Sequence, residues 1–174
     1  IRSCLVGSEM CIRDRLEPLA EAIGQHVFEA HAIHADDTPV KVLVPGSGKT
    51  QTARVWGYVR DERPWGSEVP PAVFYRFSMD RRGEHVREHL KGYSGFMHAD
   101  GYTGFEALYE TGRVHEVACL AHIRRKFFDH AQSIKSKIAV EAVERIGQLY
   151  AVEAEARGQP PDVRVKLRQE KARP

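Results

Sequence analysis

Two aspartate-bearing phrases of similar sequence are the residues of this chain best suited to chemistry. The first, H-A-D-D-T-P, covers residues 34–39, and the second, H-A-D-G-Y, covers residues 98–102. Each phrase closes a stretch that reads as a buried strand. Two carboxylates delivered by two strand ends suit a divalent metal ion that is held rigidly while keeping coordination positions open for a substrate. The pattern favours metal-dependent chemistry at the phosphodiester bonds of nucleic acid.

Within these phrases we predict that Asp36 and Asp100 are catalytic and bind the metal ion. Asp36 is preferred to Asp37 because it closes the apolar strand, whereas Asp37 alternates away from it; Asp37 keeps a supporting role. Taken singly, each phrase also fits a simple turn, since Asp before Thr-Pro and Asp before Gly are common turn chemistry. Their occurrence together, at predicted neighbouring strand ends, favours the catalytic interpretation.

The stretch C-L-A-H-I-R-R-K-F, residues 119–127, contains the second group of candidate site residues. Cys119 and His122 are three positions apart and could face one zinc ion. A structural zinc site needs four ligands, however, and no second pair with suitable spacing exists. A buried cysteine at a strand end and a histidine facing along a helix is therefore the favoured interpretation, with His122 kept as a supporting site residue.

The basic triplet of the same stretch, Arg124, Arg125 and Lys126, is predicted to contact DNA phosphates. It lies in the first turns of a helix that is expected to start at the same sheet edge as Asp100, where a DNA backbone would have to lie. A solvated helix face remains the alternative.

The run G-S-G-K-T at residues 46–50 resembles the end of a phosphate-binding loop. The full pattern requires a glycine five places before Gly48, and that position is Leu43. A strand rather than a helix is predicted to follow, so the run is interpreted as a hairpin turn.

The order of the predicted helices and strands that must position these residues changes along the chain. After a helix, three strands follow one another as a meander, and strands then alternate with helices, which favours parallel pairing. This order predicts an α/β fold with a ribonuclease-H-like mixed sheet, β-β-β-α-β-α-β-α, followed by the start of a helical insertion. In that architecture the first and fourth strands are neighbours, so Asp36 and Asp100 would meet at one sheet edge. The predicted helices cover 16–29, 83–90, 102–109, 138–156 and 163–172, with a further helical stretch from 121, and the predicted strands cover 31–44, 53–59, 72–77, 95–99 and 114–120.

Length and composition are consistent with one domain or a part of a larger protein. The chain has 174 residues, a formal net charge of +2 and 42% hydrophobic residues, so any nucleic-acid contact must come from local patches. No apolar run is long enough to span a bilayer, and we expect a soluble intracellular protein.

Four segments are predicted. Residues 1–15 lack helical or strand periodicity and resemble the translation of a sequencing adapter; residues 16–30 form a helical lead-in, and residues 31–136 form the catalytic core. Residues 137–174 form a helical insertion whose pattern stops without a closing glycine or polar tail, so the chain is expected to be truncated.

The motifs together resemble the DDE-type transposases of bacterial insertion sequences, in particular the insertion sequence sixty-six family. The resemblance covers residues 16–174 and rests on five motifs: H-A-D-D-T-P, R-V-W-G-Y-V, D-R-R-G-E-H, H-A-D-G-Y-T-G-F and C-L-A-H-I-R-R-K-F. It implies DNA strand cleavage and strand transfer at element ends by two Mg²⁺ (or Mn²⁺) ions. It also implies DNA as partner, a homo-oligomer for the complete protein, and DNA contacts by Arg81 and Arg82 of the third motif.

By the same resemblance, Asp36 and Asp100 correspond to the first two acids of the catalytic triad. The third acid of the family is a glutamate in an Asp-Asn-Asn-rich stretch that this sequence lacks. Glu141 and Glu144 are weaker candidates on an amphipathic helix. The chain alone is therefore expected to be inactive. Two alternatives remain: a nuclease or resolvase on the same fold, and a non-catalytic DNA-binding remnant.

Overall fold

The computed structural model describes the backbone of residues 2–173 and the side chains of residues 12–173. Five strands and six α-helices follow one another in an order close to the predicted one. Short 3₁₀ turns occur at Arg63–Trp65 and Thr103–Phe105. The elements are α1 (Arg2–Phe28), β1 (Ala32–Leu43), β2 (Thr50–Arg60), β3 (Ala72–Ser78), α2 (Gly83–His89), β4 (Gly95–Ala99), α3 (Glu106–Tyr109), β5 (Val114–Ala118), α4 (Leu120–Ile134), α5 (Lys137–Ala156) and α6 (Pro161–Lys171).

The strands form one mixed sheet in the order β3-β2-β1-β4-β5. The meander pairs antiparallel, whereas β4 pairs with β1 in parallel, over the register Ala32↔Phe96 to His34↔His98. The predicted adjacency of the first and fourth strands is therefore confirmed. The mixed α/β class is also confirmed, while the more specific ribonuclease-H-like assignment stays a prediction.

One face of the sheet carries the hydrophobic core. Along β1, Ile33 and Ala35 are buried while His34 and Asp36 are exposed, as the two-residue period of a strand requires. The largest fully buried side chains include Trp56 and Tyr58, and residues from α1, α2 and α3 complete the same cluster. Strand β1 therefore presents His34 and Asp36 on the side away from this core.

The turn between β1 and β2 confirms the hairpin interpretation of G-S-G-K-T. The backbone NH of Val44 donates to the carbonyl of Lys49 at 2.9 Å, which closes the turn. Gly46 and Gly48 both have positive φ, at 75° and 63°, a conformation that glycine adopts without strain.

A second compact unit comprises Arg63–Glu68 and the chain from Ala118 to Pro174, so it contains α4, α5 and α6. Ser136 caps α5, because its side chain accepts a hydrogen bond from the backbone NH of Ala139. The first unit covers residues 1–62 and 69–117. These boundaries differ from the predicted segments, because α4 groups with the helices that follow it; the predicted segments themselves stay predictions.

Two helices differ from the sequence-based expectation. Helix α1 begins at Arg2 rather than at Leu16, since backbone hydrogen bonding extends a helix without requiring buried side chains. The side chains of residues 1–11 lie outside the described part, so the adapter interpretation of residues 1–15 stays a prediction. The helix expected at residues 102–109 is a 3₁₀ turn followed by the short α3. Among the described residues no helix is long and apolar enough to cross a membrane.

Candidate active site

The parallel pairing of β1 and β4 brings the two predicted catalytic aspartates to the same level. His34 is paired with His98 in the register, and their rings stack with centroids 4.6 Å apart. Asp36 and Asp100 each follow two residues later on their own chain segment. Neighbouring strands lie about 4.8 Å apart, so the register places both aspartates at one end of this strand pair.

Asp36 is exposed and lightly engaged. Its Oδ1 accepts a hydrogen bond at 2.9 Å from the backbone NH of Asp37. The side chain forms no ion pair with an arginine, lysine or histidine in the described part of the chain; the nearby ion pairs involve Asp37 and Asp100. It lies on the polar side of β1, opposite to the core residue Ala35. A carboxylate that is exposed and not neutralised by a nearby guanidinium is available as a metal ligand.

Asp37 is engaged in a different way. Its side chain is only 3% exposed and lies between two guanidinium groups. Arg54 donates to Oδ2 at 2.9 Å, and Arg81 donates to Oδ1 from Nε at 2.9 Å and from Nη2 at 2.7 Å. A buried carboxylate with both oxygens bonded to arginines stabilises the structure and has little capacity left for a cation.

Asp100 is held by its own turn and by Arg81. Its Oδ1 accepts from the backbone NH of Tyr102 at 3.2 Å, and its Oδ2 lies 3.4 Å from Nη2 of Arg81. Arg81 in turn lies over the Tyr102 ring, 4.1 Å from its centroid, and the Tyr102 hydroxyl donates to the Arg81 carbonyl. The arginine thus links the buried Asp37 to the more exposed Asp100.

The charge of Arg81 is secured by this arrangement. Partial burial alone would lower the pKa of the guanidinium. The hydrogen bonds to Asp37 and the negative charges of Asp37 and Asp100 outweigh that effect and raise the pKa above its ordinary value. Arg81 therefore stays positively charged between the two carboxylates.

The segment before α2 is fixed by further bonds. The buried Trp56 donates from its indole to Ser78 Oγ at 2.8 Å, and Ser78 donates to the carbonyl of Asp80 at 2.5 Å. The Asp80 carboxylate accepts from the backbone NH of Arg82 and bonds to the side chains of His85 and Arg82, and these contacts lower its pKa. The core tryptophan thereby positions the turn that carries Arg81.

The sequence analysis missed Arg54, Ser78 and Trp56 as supports of this site. Arg54 reaches Asp37 because the hairpin register pairs Asp37 with Trp56, and a residue two places along the partner strand is a diagonal neighbour on the same face. That register is seen only in the structure. Nothing local in the sequence indicates the bond between Trp56 and Ser78.

The predicted DNA-binding residues fall in two places. Arg81 and Arg82 precede α2, and Arg82 ion-pairs with Asp80 at 2.9 Å and with Glu84 at 3.0 Å. Both arginines are therefore engaged by carboxylates, and their contact with DNA stays a prediction. The triplet of residues 124–126 lies on α4, in the second unit; Arg124 is half-buried and the other two residues are exposed.

The remaining candidates also lie in the second unit. Cys119 precedes α4 and is a half-buried free thiol, and Nδ1 of His122 is buried without a hydrogen-bond partner. On α5, Glu141 accepts from Arg145 at 2.7 and 3.0 Å, while Glu144 is exposed. These glutamates have the surroundings of solvated helix residues.

Metal binding by Asp36 and Asp100 stays a prediction. No group of three or more His, Cys, Asp or Glu side chains in the described part is arranged to hold an ion. Asp36 lies inside β1 and Asp100 directly follows β4, and carboxylate oxygens are ligands of the kind that Mg²⁺ and Mn²⁺ prefer.

Comparison with known proteins gives one family over almost the whole chain. Residues 2–174 match the family described as "Transposase IS66 family". The chain is similar to three uncharacterized proteins of Sinorhizobium fredii: y4hP (39% identity over 175 residues, 91% of this chain), y4qI (40% over 164, 90%) and y4jD (32% over 165, 91%). The alignments cover 31%, 30% and 32% of these relatives, so the chain spans about a third of their length.

Proposed function

The chain belongs to the IS66 family of transposases, and we propose that it supplies the first two acids of a DDE active site that cleaves and joins DNA at the ends of an insertion sequence. The observation that supports this most directly is the contrast between two adjacent residues. Asp36 is exposed and free of cations at the level of Asp100, whereas Asp37 is buried and bonded to two arginines.

A divalent ion held by Asp36 and Asp100 is part of the proposal. Asp36 and Asp100 would hold Mg²⁺ or Mn²⁺, which in such a site activates an attacking oxygen and stabilises the leaving oxygen of an in-line displacement. Asp36 contributes an exposed carboxylate, and the NH of Tyr102 orients that of Asp100. Arg81 holds the Asp100 carboxylate beside Asp37 and partly neutralises its negative charge. A tightly bound cation would have to compete with this guanidinium.

The third acid of the proposed triad is not among the described residues. Two carboxylates alone bind a hard cation weakly, and the described residues contain no group of three or more His, Cys, Asp or Glu side chains that could hold one. We therefore assign the third acid to a part of the complete protein that is absent from this sequence, and we expect the present chain alone to lack cleavage activity. DNA, as element ends and target, is the proposed partner, and the complete protein is proposed to act as a homo-oligomer in the bacterial cytoplasm, in association with the nucleoid.

The test uses the complete transposase with a DNA fragment that carries the element ends. Asp36→Asn and Asp100→Asn should each abolish strand cleavage and strand transfer while leaving binding to the ends within about threefold of wild type, since an uncharged isostere removes a metal ligand and little else. Glu141→Gln is the matched control and should retain both steps.

Three outcomes would separate the alternatives. Strand transfer retained in either aspartate variant would refute the assignment of these acids. Cleavage without joining in the wild-type protein would favour the nuclease or resolvase. End-binding with no cleavage in any metal would leave a DNA-binding remnant.

A further inference from the structure

We propose that an arginine-lined cleft in the second unit binds a phosphate group of the DNA backbone, which gives the helical unit a DNA contact of its own. The cleft lies between the 3₁₀ turn at Arg63–Trp65, the end of α5 and the start of α6. The identity of the ligand as DNA rests on the proposed function; the presence of an anion site rests on the cleft itself.

The cleft is large enough for a phosphate and the adjoining sugar. Its volume is about 530 Å³, and four of its lining residues are arginines. Arg63 comes from the 3₁₀ turn, Arg157 follows α5, and Arg164 and Arg168 lie one turn apart on α6. Glu153 is the acidic residue of the lining, so this surface carries an excess of positive charge.

One of the arginines is neutralised within the unit. Arg168 donates to both carboxylate oxygens of Glu153, at 2.6 and 2.7 Å. These hydrogen bonds are the main reason that the pKa of Glu153 is lowered and that of Arg168 is raised. The guanidinium of Arg168 is therefore occupied by a carboxylate, and the charge of Arg164 also helps to lower the pKa of Glu153.

Two other arginines have no such partner. Among the described residues, Arg157 and Arg164 form no ion pair with a carboxylate, and Nε of Arg164 is buried without a hydrogen-bond partner. An unmet buried donor on a charged group is costly, and an anionic acceptor in the cleft would relieve it. Guanidinium groups match the oxygens of a phosphate in geometry as well as charge.

The start of α6 adds donors at the same place. Pro160 precedes the helix and provides no side-chain cap, and Pro161 occupies its first turn and also lines the cleft. The first NH groups of a helix have no partner within the helix, and its N-terminus favours anions. Asp162 in the first turn opposes this effect in part. The Nε of Arg164, which has no hydrogen-bond partner, and the uncapped start of α6 are independent features, and each favours an anionic ligand.

The experiment measures binding of the whole chain to a fluorescein-labelled 30-base-pair duplex by anisotropy at several salt concentrations. Arg157→Gln and Arg164→Gln should each weaken binding about three- to tenfold and reduce the slope of log K against log salt by about 1, because each removes one phosphate contact. Arg145→Gln is the control: it deletes the same charge from an exposed arginine on α5 outside the cleft and should leave the affinity within about twofold.

Several results would overturn the proposal. Cleft variants that bind like Arg145→Gln, or an unchanged salt slope, would show that the cleft takes no phosphate. Displacement of the labelled duplex by poly-glutamate at a much lower concentration than by unlabelled duplex would indicate an acidic peptide as the ligand. Arg157 lies at the surface, so its variant stays informative even if Arg164→Gln perturbs the local structure. Because Asp36 and Asp100 are tested by cleavage and not by binding, failure of this site and failure of the proposed function are distinguishable.

Discussion

The imidazole rings of His34 and His98 stack at 4.6 Å across the parallel strands β1 and β4, and this pair sets the level of the two candidate metal ligands. Strand alternation carries Asp36 to the same face as His34. The relationship explains how residues 64 positions apart (100 minus 36) come to one end of a strand pair. It also leads to a direct test of proximity.

A disulfide should form between positions 36 and 100. We expect Asp36→Cys with Asp100→Cys, in a background with the three native cysteines changed to Ser, to cross-link rapidly on mild oxidation, because neighbouring strands lie about 4.8 Å apart and a disulfide spans Cα separations of about 4.4 to 6.8 Å. Non-reducing electrophoresis and mass spectrometry follow the reaction. The control, Lys41→Cys with Asp100→Cys, lies farther along β1 and should cross-link slowly; equal rates would contradict the register.

The two adjacent aspartates should differ in their effect on stability. Asp37→Asn should lower the free energy of unfolding by about 2 kcal/mol, because it leaves Arg54 and Arg81 without their shared carboxylate, a loss reduced by the partial exposure of both arginines. Asp36→Asn should change it by less than about 0.5 kcal/mol, since the side chain is exposed. Urea unfolding followed by fluorescence measures both. Similar losses for the two variants would show that the burial contrast does not hold in solution.

Ser78 should contribute through its bond to Trp56. Ser78→Ala removes the acceptor of a fully buried indole NH, so we expect a loss of about 1 to 2 kcal/mol of stability and a shift in tryptophan emission. Ser133→Ala is matched in chemistry but lies on the exposed face of α4, where the hydroxyl bonds to the carbonyl of Asp129, and should be nearly neutral. An equal effect of both substitutions would exclude a specific role for the indole bond.

Acid should weaken the first unit through His89. Burial, and then the charges of Arg76 and His85, lower the pKa of His89 to about 4, and its Nδ1 lies 2.9 Å from the hydroxyl of Tyr58. Because the unfolded pKa is about 6.5, the unfolded chain takes up a proton that the folded chain does not. Stability is therefore complete above pH 6.5 and falls as the pH drops toward 4.

The expected loss at pH 5 relative to pH 7 is on the order of 1 kcal/mol, after a discount for the partial exposure of the ring. Urea midpoints at the two pH values measure it. His89→Gln should flatten this dependence, whereas His130→Gln, an exposed residue of α4, should leave it as in wild type. A wild-type slope in His89→Gln would contradict the assignment.

Much of the fold could be predicted from local patterns. The strand at residues 95–99 was predicted with the bounds that the structure has, because a short apolar run between turn residues has few alternatives. The hairpin at residues 46–48 followed from two glycines that tolerate positive φ. The start of α1 at Arg2 was not predicted, since the first fifteen residues carry no helical periodicity in the sequence.

The sequence by itself determined on which face of β1 Asp36 and Asp37 lie, because side-chain direction in a strand follows a two-residue period. That was enough to prefer Asp36 to Asp37 as the metal ligand. The expectation that Asp36 closes its strand was wrong, since β1 pairs with β2 as far as Leu43. Only the tertiary structure decided what neutralises Asp37: Arg54 and Arg81 lie 17 and 44 positions away along the chain. Such partners are chosen by strand register and by the placement of the turn before α2, and neither is encoded within a short window of residues.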